Sequence, residues 1–436
     1  MVVSNQVVPC TPRVVRSHQR FVVLAVLFSL SMLTIVDRVA ISAAKVDMSH
    51  ELGLTDVTFG LIFGSFALGY ALFQIPAGLL ADRFGSRMLI ASIVGLWSIF
   101  TGLTTIIRTA VMLVGARFLF GAAEAGAYPA SAQVVRSWLP AGETGIAQGV
   151  IFSGSRLGAA IGLTLTSWLV AKLGWRFSFL ALSIIGVLWV IGWLLWFRNR
   201  PEESPWASTT ERAYIRYDRE RPVPAAVSEL SESSPSSIWR FRETPALMLQ
   251  YIASNFTFFL CFSWLLPYLR QRYQLGAVEA GVLAAVPLYF GTAANWTSGI
   301  VVDRLYRRGW GRSSRVIPAA TGFLLGAAAL CVAAHAQTPW GAVLAFAIAT
   351  FGVDLTLSPS WTLCIDVAGA HTGTLTGAMN MCGNLGSFAS SMAFPLLFRW
   401  TGHANAFFYS AAAMNLCAAF LWLNLRDDRL TMRPIS

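Results

Sequence analysis

The sequence predicts an all-α membrane protein whose twelve transmembrane helices form two pseudo-symmetric six-helix bundles. Three observations carry that prediction. Of 436 residues, 56% are hydrophobic and 12% charged, roughly half the charged share of a soluble domain. The apolar residues fall in stretches of about 20, the length that crosses a bilayer as a helix. A short polar string also recurs in the sequence. Gly78-x-x-x-Asp82-Arg83 follows the second stretch and Gly299-x-x-x-Asp303-Arg304 follows the eighth, the same place in each set of six.

The stretches cover residues 21–44, 57–80, 88–107, 111–137, 145–170, 177–197, 245–268, 279–302, 315–335, 339–363, 373–397 and 404–425. The first follows a basic N-terminus (Arg13, Arg16, Arg20), has no small-residue cleavage site and reads as a retained helix. Lys and Arg alternate in density between successive loops. Arg83, Arg87, Arg136, Arg304, Arg307, Arg308, Arg312 and Arg315 share a side with both termini, against sparser Lys45, Arg108, Lys172, Arg176, Arg270, Arg272 and Arg399 opposite. The positive-inside rule then places both termini in the cytoplasm, in a bacterial inner membrane. Residues 1–197 are expected to form one bundle and 245–436 the other. The Ser- and Pro-containing segment 198–244 reads as a cytoplasmic linker with one short surface helix in TTERAYIRYDRER.

Composition also excludes function classes. The formal charge of +11 is spread through short loops rather than gathered on one face, so it reports topology and not nucleic acid. Cys10, Cys261, Cys331, Cys364, Cys382 and Cys417 stand singly in mostly apolar surroundings, the pattern of packing and not of a metal or disulfide framework. No HExxH, clustered His/Asp set or phosphate-binding loop is present, so an enzyme, a metal site and a cofactor are not expected. The expected partners are lipid and a small solute.

The chemistry is expected where charges interrupt apolar stretches. An ionised residue at that depth costs about 2.5–3.5 kcal/mol even on lenient scales. Arg117 and Glu124 lie in the fourth stretch, seven residues apart. They therefore share one helix face about 10 Å apart, too far for an easy pair with each other. Asp37 and Arg38 interrupt the first stretch and point about 100° apart, toward different partners. Arg156 in the fifth has no acid on its own helix and needs an anion, either Asp37, Glu124 or a substrate. Asp354 in the tenth is a candidate second protonation site, or a ligand for a hydroxyl or Na⁺. Asn380 and Asn384 share a face, open to helix gluing or to ligand binding. Trp264 and Tyr268 are gate or binding candidates against the ordinary reading of interfacial aromatics.

The string GLLADRFGSR, Gly78 to Arg87, resembles the signature between the second and third helices of the major facilitator superfamily. IVDR, ALFQIPAG, ARFLFGAAEAGAYP and FRNRPEESP further resemble its anion:cation symporter family, with bacterial galactonate, glucarate and hexuronate carriers among its members. That resemblance implies the major facilitator fold. It implies proton coupling at Asp37 and Glu124, and interaction of Arg38 and Arg117 with those acids or with a substrate anion. Tyr70, Gln74 and Asn380 match polar positions beside the cavity. Arg156 and Trp264 join them here as candidate substrate contacts. Gly78, Asp82, Arg83, Arg87, Asp303 and Arg304 would latch one conformation, the acids capping helices and pairing with arginines. Three departures stand out: Ile35 before V-D-R, Ser155-Arg156 where the family has Gln nearby, and an unmatched Asp354.

The expectation is a secondary transporter that takes up an organic anion, a sugar acid or related carboxylate, with H⁺ or Na⁺ by alternating access. The alternative is a proton-coupled antiporter of a metabolite or drug, against which the fifth stretch, lacking Pro, argues weakly.

Overall fold

The computed structural model describes residues 18–219, 243–260, 264–275 and 277–425. Every regular element among them is helical. The chain runs through α1 (Gln19–Ala43), α2 (Lys45–Leu52), α3 (Asp56–Phe84), α4 (Ser86–Leu103), α5 (Ala110–Glu124), α6 (Ala127–Trp138) and α7 (Thr144–Trp196). The linker holds α8 (Thr209–Arg219). The second half comprises α9 (Glu243–Phe259), α10 (Leu265–Tyr273), α11 (Ala277–Arg307), α12 (Ser313–Ala334), α13 (Pro339–Leu355), α14 (Leu357–Ala368), α15 (Thr372–Thr401) and α16 (Asn405–Asn424).

Eight helical stretches among the described residues are long and apolar enough to cross a membrane. The other expected spans, 145–170, 245–268, 279–302 and 373–397, coincide with the first arm of α7, α9 with α10, α11, and α15. They carry more Gly, Ser, Thr and Asn. Of these, α7, α11 and α15 pack against the opposite half rather than only facing outward: α7 lies along α11, and α3 along α15. Outward surfaces are rich in exposed Leu, Ile, Val and Phe, such as Leu61, Leu68, Leu72, Ile184, Leu188 and Leu324, as a lipid-facing wall requires.

Local chemistry sets the ends. Thr55, Thr109 and Thr338 accept the backbone N–H of Thr58, Met112 and Gly341, capping α3, α5 and α13. The fifth and sixth spans run on as α7, broken at Gly174, whose φ of 74° and ψ of 161° suit glycine.

Among the described residues, two expected spans break ahead of a proline. The fourth breaks between α5 and α6 at Ala125–Gly126, and the tenth between α13 and α14 at Thr356. In both, a proline stands just beyond the break, at Pro129 and Pro359. Its ring crowds the carbonyl four residues back, at Ala125 and Leu355, and it has no N–H to donate. Thr356 caps the tenth-span break by donating its hydroxyl to the Val353 carbonyl at 2.7 Å.

The apolar core is unevenly shared. At the end bearing Gly78–Arg87, one buried cluster runs through both halves, from Val23 and Trp138 to Trp361, Leu375 and Trp422. Toward the other end the clusters separate. One contains Ile41, Phe59, Trp175 and Phe179 of the first half, the other Leu269, Phe346, Phe394 and Phe408 of the second. The halves are thus sealed at the basic end and part toward the opposite end.

Helix α8 docks more firmly than a surface linker requires. Buried Glu211 accepts the Gln19 and Arg20 backbone N–H groups and Arg20 Nη1. Arg20 Nε also donates to Glu143 at 2.8 Å.

Candidate functional site

The charges expected in the membrane converge midway along the first half. Arg38 on α1 donates from Nε to both carboxylate oxygens of Glu124 on α5, at 3.0 and 3.1 Å. Its guanidinium lies 4.4 Å from the Tyr70 ring centroid on α3. Arg117, two turns earlier on the same face of α5, stacks over Phe66 at 5.1 Å and Phe120 at 4.6 Å. Its Nε is buried and has no hydrogen-bond partner. Asp37 is 2% exposed; the Trp97 indole stands beside it, but neither of its carboxylate oxygens makes a hydrogen bond of good geometry. Its charged neighbours are Glu124 and Arg117. The adjacent pair on α1 therefore divides as its 100° offset predicts, Arg38 to Glu124 and Asp37 toward Arg117.

The second half closes the site with amides. Asn380 on α15 donates to the Tyr70 hydroxyl at 3.4 Å, and Asn384 Nδ2 reaches back to the Asn380 carbonyl at 2.8 Å. Gln74 is fully buried with both amide atoms unpartnered, where α3 meets α15: a Cβ on Gly377 would stand 2.6 Å from the Gln74 carbonyl oxygen.

Arg156 has a partner that the sequence reading did not assign. It donates Nε and Nη2 to Asp354 at 2.9 and 2.7 Å, a bidentate pair between α7 and α13 of the opposite half. Its guanidinium also lies 3.6 Å from the Phe258 ring centroid. This corrects the expectation of Asp37 or Glu124 as its protein anion. Asp354, 198 residues away in the chain, is further cradled by Asn295 Nδ2 at 3.5 Å. A sequence signal for Asp354 existed. Glu124 and Asp354 each stand five residues before the proline that breaks the fourth and the tenth span, E-A-G-A-Y-P and D-L-T-L-S-P. They are the same position in the two halves.

The two arginines with carboxylate partners keep part of their side-chain surface, 22% for Arg38 and 12% for Arg156, while Glu124 and Asp354 keep 0% and 1%. The two arginine side chains therefore keep some access to solvent while their acids keep almost none. On the basic-end side of this layer lies an aromatic one. Tyr128 stacks on Phe152 at 5.4 Å, Phe152 meets Trp361 at 5.2 Å, and Trp361 donates to the Tyr251 hydroxyl at 2.9 Å. Those four rings come from both halves and are all buried.

Trp264 does not join this group. Its described contacts are a 5.0 Å stack on Phe394 and the apolar cluster of the second half.

The latch residues divide. Asp82 accepts the backbone N–H groups of Gly373 and Thr374 at 2.8 Å each and the Thr374 hydroxyl at 2.5 Å, and a hydrogen bond from the Gln133 amide. Those amides open α15, whose own N-cap residue, His371, supplies no side-chain bond. Asp303 repeats the arrangement, accepting Gly145 and Ile146 N–H at 2.9 and 2.8 Å at the start of α7. Each acid is thus an N-cap supplied by the other half. Glycine makes the approach possible, since a Cβ on Gly78 would stand 2.3 Å from the Gly373 carbonyl oxygen. Among the described residues no ion pair joins these acids to an arginine, although Arg307 and Arg315 act by charge on Asp303 and Arg136 lies in the field of Asp82. Arg83 stacks on Phe84. Arg87 donates to the Leu194 carbonyl at 2.5 Å, and its backbone N–H donates to Asn199. Arg304 is exposed. Asp366 pairs with Arg315 at 3.0 Å.

Residues 27–391 match the Major Facilitator Superfamily. The chain belongs to the major facilitator superfamily. Among curated relatives, a probable sulfoacetate transporter of Cupriavidus necator is 28% identical over 417 residues, 94% of this chain and 95% of that one. A probable galactarate/D-glucarate transporter of Bacillus subtilis is 28% identical over 95% of this chain and 93% of its own length. The chloroplastic ascorbate transporter of Arabidopsis thaliana is 30% identical over 93% of this chain and 74% of its own. Among solved structures, the proton:xylose symporter XylE bound to 6-bromo-6-deoxy-D-glucose superposes with a TM-score of 0.73 at 14% identity, covering 93% of this chain and 95% of that one. FucP in its outward conformation gives 0.71 at 15%, over 93% and 99%. This superfamily protein is a multi-pass membrane transporter and not an enzyme, and it resembles the organic-acid carriers of the superfamily.

Proposed function

We propose that the chain imports an organic anion, a sugar acid or related carboxylate, together with a proton. One observation carries the reading: Arg117 is a buried guanidinium with an unpartnered Nε, beside Asp37, a buried carboxyl with both oxygens unpartnered. A cation and an acid kept at that cost without mutual bonding are poised to take an external anion and a proton.

The cycle follows from charge. A proton on Asp37 removes the acid that balances Arg117, which then attracts the substrate carboxylate. A proton on Glu124 frees Arg38, now held through Nε, for a second contact. Tyr70 and Asn380, already joined across the halves, would receive hydroxyls. With its charges balanced, the loaded site crosses when the halves rock about it. Loss of the protons restores the internal pairs and ejects the anion. Arg-rich loops place the sealed end in the cytoplasm, so the conformation described is outward-open. The caps of Asp82 and Asp303 then act as its cytoplasmic latch. Residues 1–197 and 245–436 are the rocking bodies and 198–244 the tether, with α8 fixed to the first.

Purified protein in proteoliposomes tests this. An imposed inward proton gradient should drive labelled organic anion above equilibrium, and an ionophore that collapses the gradient should abolish accumulation. Efflux stimulated by the same gradient would indicate antiport and overturn the direction. Accumulation that follows Na⁺ instead would overturn the coupling ion.

A further inference from the structure

Arg156 and Asp354 form a second charged unit, separate from the Arg38–Glu124 pair, and its geometry bears on the class of substrate. This inference rests on the organic-anion reading above. Three observations define the unit. The Arg156 side chain keeps 12% of its surface accessible while that of Asp354 keeps 1%. The pair uses Nε and Nη2, so Nη1 takes no part in it. Asp354 occupies in the tenth span the place of Glu124 in the fourth, at a proline-broken helix with an arginine in front of it.

We propose that Arg156 is a second anion-binding group and Asp354 the acid that releases it, so that the preferred substrate carries two negative groups. When Asp354 takes a proton it loses its charge and its bidentate hold, and the guanidinium turns to the second anionic group of the substrate. On release the proton leaves Asp354 and the pair re-forms. A dianion then enters with at least two protons, one for each arginine unit. Balance of charge supports this. The three chamber arginines Arg38, Arg117 and Arg156 face the three acids Asp37, Glu124 and Asp354, so each added negative group needs one acid neutralised. Asp354 has few competitors. Arg156 faces it from α7, Asn295 and the Gly291 backbone from α11, and Tyr251 on α9 stands near Arg156. On α12 the ionisable groups are Cys331 and Arg315, the latter engaged with Asp366. On α14 they are Cys364 and Asp366. Those of α11 stand toward its ends or, for Tyr289, on the exposed outer surface.

Binding to the purified full-length protein, read by calorimetry, should be compared for matched pairs: galactarate with galactonate, and sulfoacetate with glycolate. At pH 6 the wild type should bind the dianion of at least one pair at least tenfold more tightly than its monoanion. Arg156→Gln should cut dianion affinity at least tenfold and leave monoanion affinity within twofold. Asp354→Asn, which keeps the shape of the side chain, should give the dianion the same pH dependence as the monoanion, whereas in the wild type dianion affinity falls more steeply than monoanion affinity as pH rises. Equal affinity for both members of each pair, or equal losses for both in Arg156→Gln, would overturn the dianion assignment while leaving anion transport standing. Binding of neither member of any pair would overturn both.

Discussion

The unpartnered groups are the most informative single residues. Arg117 makes no ion pair with Glu124, which stands two turns away on the same face and is held by Arg38. Arg117→Gln should therefore raise the half-saturation concentration for uptake at least tenfold, a loss of about 1.4 kcal/mol of binding, with little effect on folding. Uptake kinetics and a melting curve on the same preparation check both halves of that statement. Glu124→Gln keeps an acceptor for Arg38 but cannot lose a proton. It should abolish gradient-driven accumulation and retain exchange of labelled for unlabelled anion. Uphill uptake by this variant would remove Glu124 from coupling. The sequence disclosed these residues because charge in an apolar stretch is conspicuous. It did not disclose who pairs with whom. Arg156 meets Asp354 only through the apposition of α7 and α13, a tertiary fact with no local signature. Trp264 was misplaced for the opposite reason: an aromatic near a helix end looks the same whether it lines a chamber or, as here, stacks on Phe394.

At the scale of elements, the helix boundaries follow from capping residues, Gly174 and the spans of apolar residues, of which the spans were legible. The breaks after Glu124 and Asp354 were not, because hydropathy runs on through them while Pro129 and Pro359 interrupt the hydrogen-bond ladder. The acids of the repeated string were legible as caps, but their true partners are backbone amides of the facing half. A helix cap of this kind is worth about 1 kcal/mol. Asp82→Ala with Asp303→Ala should thus weaken closure of the basic end by roughly 2 kcal/mol. The measurement is labelling by an impermeant maleimide, applied from that end, of a cysteine replacing Ser254, one turn beyond Tyr251. It should accelerate at least tenfold, and asparagine at both positions should restore part of the protection by keeping one acceptor oxygen. Unchanged labelling would mean that the caps do not hold that end shut.

For the whole molecule, the decisive feature is the asymmetry of its core, continuous across the halves at one end and divided at the other. The two-bundle architecture was legible from the repeat and the span count, but which end was joined was not, since both states of a rocking carrier share one sequence. The buried layer of Tyr128, Phe152, Tyr251 and Trp361 should form the floor of the open side. Trp361→Ala should raise the same maleimide labelling several-fold even with both caps intact. No rise would assign closure to the caps alone. Beneath these contacts the facing helices meet as bare main chain. Gly78 lies against Gly373, Gly149 against the Asn295 carbonyl, and Gly299 against that of Gly145. Surfaces without protruding side chains have no teeth to disengage, so the two bodies can roll over one another like journals in a bearing. Cargo preference, set by side chains higher in the chamber, is therefore free to diverge while the moving joint stays the same.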